Sequence, residues 1–218
     1  NARYLKRFGL FLARQDWPQK ASTAFELSTR YEPTKPEYAF QNGSWLLSKG
    51  LKEAGIQQMK RALELDGKYT DRVLTALILS GIGIDEIPKA IPDKPGPFLS
   101  FSQFLYTIGR QDQANRMYMD ALDLIKQQKR VNSWYFYKVH KFFLRQGDLK
   151  NAELAMTAAE EAMPQDHGIK VTLGDLYRRQ GILYKAREKY EQALFLDPGN
   201  TKIRERIHAI EKAIKATF

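Results

Sequence analysis

The chain has 218 residues, of which 43% are hydrophobic and 28% charged, with no cysteine. That composition belongs to a folded globular protein with a sizeable core, and it excludes disulfides, thiol catalysis and cysteine-based zinc sites. The net charge of +10 is spread over residues 1–97, with 15 lysines and arginines against 11 acidic residues, and residues 98–218, with 20 against 14, so on this coarse scale it promotes solubility and little else.

Residues 1–2, Asn1-Ala2 ahead of Arg3, read as the remnant of a cleaved tag and are set aside from the fold, with the chain expected to be a fragment of a longer protein. Residues 3–68 carry two similar units. "RQDWPQKASTAFELSTRYEP" (Arg14–Pro33) has Ala21, Phe25, Ser28 and Pro33 as its markers, and "SKGLKEAGIQQMKRALELDG" (Ser48–Gly67) has Gly50, Gly55, Met59 and Ala62. Residues 69–97 interrupt the pattern. One helix is predicted to about Ser80, then a glycine-rich turn, a short second helix near Asp85–Ala90 and a proline-bounded loop. This is a shortened hairpin occupying one slot in a stack, since "VLTALIL" (Val73–Leu79) is too apolar for a free linker; a linker between two subdomains is the alternative. Val73–Ile84 is also the longest nearly apolar run, and it is too short to span a bilayer.

Residues 98–200 resume the pattern. "TIGRQDQANRMYMDAL" (Thr107–Leu122) carries Gly109, Ala114, Tyr118 and Ala121. "FFLRQGDLKNAELAMTAAEEAMP" (Phe142–Pro164) and "LYRRQGILYKAREKYEQALFLDP" (Leu176–Pro198) then align at an offset of 34, matching Gly147 to Gly181, Ala152 to Ala186, Ala159 to Ala193 and Pro164 to Pro198. Each unit reads as two amphipathic helices separated by Gly or Asp. The small residues let two helix axes approach closely, while Tyr, Phe and Met fill the grooves between them. Leu173, Tyr177, Ala186, Tyr190 and Ala193 are therefore expected in the core. Residues 201–218 place Ile203, Ile207, Ile210 and Ile214 on one face with charges opposite, the one-sided cap that a helical repeat array needs.

The repeats resemble the tetratricopeptide repeat family. In the last unit Leu173, Gly174, Tyr177, Gly181, Ala186, Tyr190, Ala193 and Pro198 fall on the family's signature places. Lys170 stands where the family often has Trp, His140 and Ser102 replace the small Gly of the first helix, and Gly55 replaces an alanine. His140 is expected to push its helix pair slightly apart or to turn its ring outward. The resemblance implies an all-α, right-handed solenoid of stacked helix pairs, continuous over residues 3–200 with a capping helix at 201–218. It also implies a non-catalytic scaffold whose first helices line a groove for a protein segment or an anionic polymer. The family's two-carboxylate clamp needs Lys and Asn at set places on successive first helices. Tyr137 with Lys141, and Phe40 with Ser44, stand there instead, so that activity is not carried over. More weakly, "EIPKAIPDKPGPFLSFSQFLYTIGRQDQA" (Glu86–Ala114) followed by repeats is similar to the soluble tails of bacterial O-antigen ligase/polymerase-type membrane proteins. That implies a periplasmic location, which the lack of cysteine suits, and a role in surface-polysaccharide assembly; the cytoplasm is the alternative.

Signals of catalysis are weak. His140, His167 and His208 have no metal-ligand spacing. "GIGIDE" lacks the preceding strand and third glycine of a dinucleotide fingerprint, and "SGIG" lacks the strand of a nucleophile elbow. Glu160 and Glu161 are adjacent on a helix and point apart. Asn42-Gly43-Ser44 is a formal glycosylation sequon inside a predicted helix. Neither enzyme activity, a metal nor a cofactor is expected.

The strongest local signal is Lys126–Lys150, with seven lysines and arginines against one Asp. Helical spacing puts Phe136, Val139, His140 and Phe143 on a packing stripe, and Trp134, Tyr137, Lys141 and Arg145 on a second, groove-facing stripe. One repeat later the second stripe becomes Val171, Asp175 and Arg179, with Arg178 beside it. Trp134, Tyr137, Lys141, Arg145, Arg178 and Arg179 are the candidate ligand-binding residues, because flat faces suit sugars or peptide groups and cations favour carboxylate or phosphate. The competing readings are a solvated basic face, nucleic-acid binding through residues 126–150, and a structural or oligomerisation spacer.

Overall fold

A computed structural model describes residues 1–217, the side chain of Thr217 excepted. Among the described residues every long element is a helix and there is no strand. In chain order the helices are α1 (Ala2–Arg14), α2 (Pro18–Tyr31), α3 (Pro36–Ser48), α4 (Lys52–Leu65), α5 (Thr70–Leu79), α6 (Pro95–Thr107), α7 (Gln111–Lys126), α8 (Ser133–Arg145), α9 (Leu149–Ala162), α10 (His167–Arg179), α11 (Leu183–Leu196) and α12 (Thr201–Thr217). Single 3-10 turns lie at Gly67–Tyr69 and Ile87–Ala90. The helices form two compact units, Asn1–Ala121 and Leu122 onward, with the boundary inside α7. The all-α class expected from the sequence is what the chain adopts. None of the described helices is long and apolar enough to cross a membrane.

One turn design recurs at the end of each pair's first helix. Gly50, Gly81, Gly109, Gly147 and Gly181 have φ between 70° and 81°, and Asp16 takes the same role at φ 53°. The left-handed residue lets the next N–H reach back over the helix end. Leu51 donates to the Leu46 carbonyl at 3.0 Å, Ile82 to Leu77 at 3.0 Å, Arg110 to Leu105 at 2.9 Å, Asp148 to Phe143 at 3.0 Å, Ile182 to Tyr177 at 2.9 Å and Trp17 to Leu12 at 3.1 Å. Carbonyls that would otherwise lack donors are thereby satisfied.

At the chain start Asn1 caps α1 through its side chain, accepting from the Arg3 N–H at 3.0 Å, and Ala2 is the buried first residue of the helix. The proline-bounded loop ends earlier than expected. Pro95 and Pro97 sit in the first turn of α6, where a missing N–H costs no helix bond.

Within residues 69–97, α5 packs against α3, α4 and α6. Val73, Leu74, Leu77, Ile82, Ile87, Ala90 and Ile91 are buried. The second helix is reduced to the 3-10 turn Ile87–Ala90, which rests on α4.

Packing inside each full pair follows one exchange of volume. The residue sixteen places after the small residue of the first helix is large and almost fully buried: Gly9 faces Phe25 and Gly43 faces Met59 in the first unit, and Gly174 faces Tyr190 in the second. A Cβ at Gly174 would lie 2.5 Å from the Tyr190 ring, one at Gly9 3.0 Å from Phe25, and one at Gly43 3.3 Å from the Met59 methyl. Ser102 and Tyr118, and His140 and Met156, stand at the same spacing, and all four are buried. Both tyrosines use the residue after the small one. Tyr118 donates to Gln103 at 3.1 Å and Tyr190 to Asp175 at 2.7 Å. His140 does not turn outward. It is buried between α8 and α9, with Nδ1 3.3 Å from the Ala152 carbonyl, and the unbranched Met156 is the adaptable partner for its ring. Gly55 also has a steric reason, since a Cβ there would lie 2.6 Å from Leu47 Cγ.

Lys170 fills its tryptophan place with charge. Its Nζ lies 2.8 Å from Glu160, whose other oxygen is 2.7 Å from Lys189 Nζ, and all three side chains are largely buried. Burial pushes the Glu160 carboxyl up, but the hydrogen bonds from Lys170 and Lys189 outweigh it and hold it below its ordinary value. A two-lysine clamp on one carboxylate thus ties α9, α10 and α11 together.

The volume exchange predicts different costs for one substitution. Gly174→Ala presses a methyl into the rigid Tyr190 ring and should lower stability by about 1–3 kcal/mol. Gly43→Ala meets Gln58 Cβ and the Gly55 carbonyl at 3.2 Å and the Met59 methyl at 3.3 Å, a milder crowding than at Gly174, and it gains helix propensity, so its loss should be at least about 1 kcal/mol smaller. Urea denaturation of both variants measures the contrast, and equal losses would contradict it.

Candidate interaction face

α8 begins at Asn132, whose side chain accepts the Trp134 N–H at 3.0 Å. Phe136, Val139, His140, Phe142 and Phe143 are buried, so the packing stripe falls where its spacing puts it. Trp134 is 51% exposed. The Lys138 ammonium lies 4.2 Å from the centre of its ring and the Tyr135 ring stands edge-on at 5.2 Å.

Tyr137 is half-buried and reaches toward the start of α10. Its phenol is pushed up by burial, pulled back by a hydrogen bond with Thr172 and raised again by the Asp166 charge. Asp166 is itself occupied as the α10 cap, accepting the N–H groups of Gly168 at 2.8 Å and Ile169 at 3.3 Å.

Lys141, Arg145 and Arg179 are exposed and form no ion pair among the described residues. Lys141 and Arg179 come from different helices, yet both charges bear on the buried His140 imidazole. Arg178 differs, with its guanidinium 3.9 Å from Asp175. Asp175 also pairs with Arg206 of α12 at 3.5 Å and accepts the Tyr190 hydroxyl. The structure thus joins Tyr137 to α10, and Lys141 and Arg179 to the surroundings of His140. Trp134 and Arg145 remain at opposite ends of α8, about 16 Å apart along the axis. The face is a strip with an aromatic end and a cationic body, and it is not a closed pocket.

Two features escaped sequence reasoning. Arg206 neutralises Asp175 from the capping helix, and only the dense charge of that helix hinted at it. The second is a hollow of about 420 Å³ in the first unit, lined by Phe40, Asp71, Arg72, Thr75, Ala76 and Leu79. There the Arg72 guanidinium lies 4.6 Å from the Phe40 ring centre and 4.9 Å from that of Tyr69. Its available signal was the run Val73–Leu79, too continuously apolar for one buried helix face. Among the described residues no cluster of His, Asp and Glu has the arrangement to hold a metal ion.

Residues 169–200, spanning most of α10 and all of α11, match the family model described as tetratricopeptide repeat. Among solved structures, the chain is similar to a chain of the APC/C hetero-tetramer Cut9-Hcn1, with 12% identity over 96% of this chain and 42% of that one and a TM-score of 0.45. This chain therefore spans less than half the length of that relative. It is also similar to YrrB, described as a TPR protein with an unusual peptide-binding site (14% identity, 97% and 92% coverage, TM-score 0.43). A third similarity is to TTC0263, a thermophilic TPR protein of Thermus thermophilus (19% identity, 96% and 98% coverage, TM-score 0.38). A search of curated proteins finds no match.

His140 makes this face's support sensitive to acid. Burial holds its pKa below the ordinary 6.5; the hydrogen bond with the Ala152 carbonyl opposes this, and the Arg179 and Lys141 charges lower it further. The unfolded chain therefore takes up the proton first. The contribution of neutral His140 is fully present above about pH 6.5 and is lost as pH falls to the lower folded value. Urea denaturation across that range should show stability falling on acidification, with a shallower fall in His140→Phe; an unchanged slope would contradict the assignment.

Proposed function

We propose that the chain, with a tetratricopeptide repeat at residues 169–200, is a non-catalytic interaction scaffold that binds an acidic polypeptide segment along the α8–α10 face. The single observation behind this reading is the pairing of uncompensated cations with an exposed ring. Lys141, Arg145 and Arg179 have no ion pair among the described residues, while Trp134 at the head of the same strip is half exposed. A carboxylate-bearing chain laid along α8 would meet the cations and cover the indole. The strip is open and about three helical turns long, which fits an extended segment better than a small molecule. The cations are concentrated in one repeat, which argues against a track for nucleic acid. The cysteine-free composition supports an extracytoplasmic location, which fractionation of cells producing the protein tests.

The test is titration with an acidic peptide, an acidic oligosaccharide and a single-stranded oligonucleotide at two salt concentrations. Lys141→Glu with Arg145→Glu should lower affinity for the peptide at least about tenfold and leave stability within about 1 kcal/mol. Trp134→Ala should weaken binding about fivefold through lost contact area. Affinity unchanged by charge reversal would leave only a solvated basic face. Tightest binding to the oligonucleotide, with a steep salt slope, would replace the peptide reading.

A further inference from the structure

α1 presents a second face, unrelated to the one above. One side of the helix buries Ala2, Gly9 and Leu12, with the Phe25 ring seated against Gly9. The other side carries two neighbouring rows. The first is aromatic: Tyr4 is 65% exposed, Phe8 40% and Phe11 52%. Their rings follow one another at centroid distances of 5.9 Å and 6.5 Å with nearly parallel planes. The second row is Arg3, Arg7 and Arg14, all exposed and none in an ion pair among the described residues. Lys6, which is paired with Glu37 of α3, is the helix's remaining cation. α1 contains no acidic residue. Just beyond it Trp17 is also exposed, with Lys20 Nζ 4.7 Å from its ring centre.

We propose that this face of α1 docks on an anionic lipid surface. Three aromatic rings side by side in water are a patch of the kind that marks an interaction site. The adjoining arginines have no acidic counterpart on the helix, so charge complementarity calls for an anionic partner. The two rows run lengthwise along a helix about 20 Å long. Apolar and cationic rows side by side on one exposed face suit a plane in which rings enter the headgroup–acyl boundary and guanidiniums meet phosphates. Aromatic side chains are those favoured at that boundary. The buried side of α1 anchors it to the rest of the first unit, so the face is presented without prior folding of the helix.

The experiment uses the whole chain in sedimentation with vesicles of phosphatidylcholine alone and of phosphatidylcholine with phosphatidylglycerol. Binding is expected only to the second kind, weakening as salt rises. Arg3→Gln with Arg7→Gln should lower the partition coefficient roughly thirtyfold, at about 1 kcal/mol per arginine near an anionic surface. Phe8→Ser with Phe11→Ser should abolish binding while far-ultraviolet circular dichroism shows the chain still fully helical. Lys141→Gln with Arg145→Gln should bind like the unaltered chain. The proposal is overturned by absence of binding, by serine variants that bind normally, or by loss of binding in the α8 variant. It is equally overturned if the protein in solution is a dimer that the serine substitutions separate, since a second copy then covers the face.

Discussion

The close approach of the two helices in three of the pairs depends on a missing side chain. Where the first helix carries Gly9, Gly43 or Gly174, the second helix sets a large group sixteen residues later into the space left free. The arrangement exchanges volume locally, so a change on one helix calls for its inverse on the other, and repeats of unlike sequence reach similar packing. His140 opposite Met156 shows how far it stretches. The small residue has become a ring, and the large partner has become the most adaptable apolar side chain available.

The Lys170–Glu160–Lys189 cluster shows the same principle applied to charge. A tryptophan at residue 170 would fill space with a rigid apolar body. The lysine fills it with a flexible stem and then requires an anion, which α9 supplies, and a second lysine from α11 shares that anion. Removing the carboxylate would leave two largely buried ammonium groups beside each other, so these three positions are coupled more strongly than an apolar contact would make them. Elsewhere the protein leaves cations unmatched. The contrast between the neutralised clusters around Glu160 and Asp175 and the open strip on α8 sets that strip apart from ordinary surface charge.

Much of the helical pattern was legible in the residues. The glycines that close the first helices, the alanines at close contacts and the three- and four-residue spacing of the apolar positions all act locally, and local signals survive in a linear sequence. Leu173, Tyr177, Ala186, Tyr190 and Ala193 are buried as their spacing required. Details that depend on distant partners were not legible. Nothing near Asp175 in the sequence announces Arg206, and nothing near Phe40 announces Arg72 stacked over it. The start of α6 was misread because proline signals a loop when its place in the helix is unknown and a first turn when that place is known. For the candidate face, helical spacing identified which side chains share a side of α8. Which cations lack partners had to wait for three dimensions, because pairing depends on neighbouring helices.

The turn glycines have a further consequence. A Cβ added at Gly50, Gly81, Gly109, Gly147 or Gly181 would meet no other atom within 4 Å, so these five places disfavour an L side chain by handedness and not by crowding. The backbone there has the sign of φ that a mirror-image amino acid prefers. A D-alanine at such a turn, introduced by chemical ligation, would find both its conformation and its space already prepared. It would also restrict the unfolded chain, which glycine leaves at its most mobile. The five glycine joints are thus achiral positions where stereochemistry can be altered while the packing around it stays as it is.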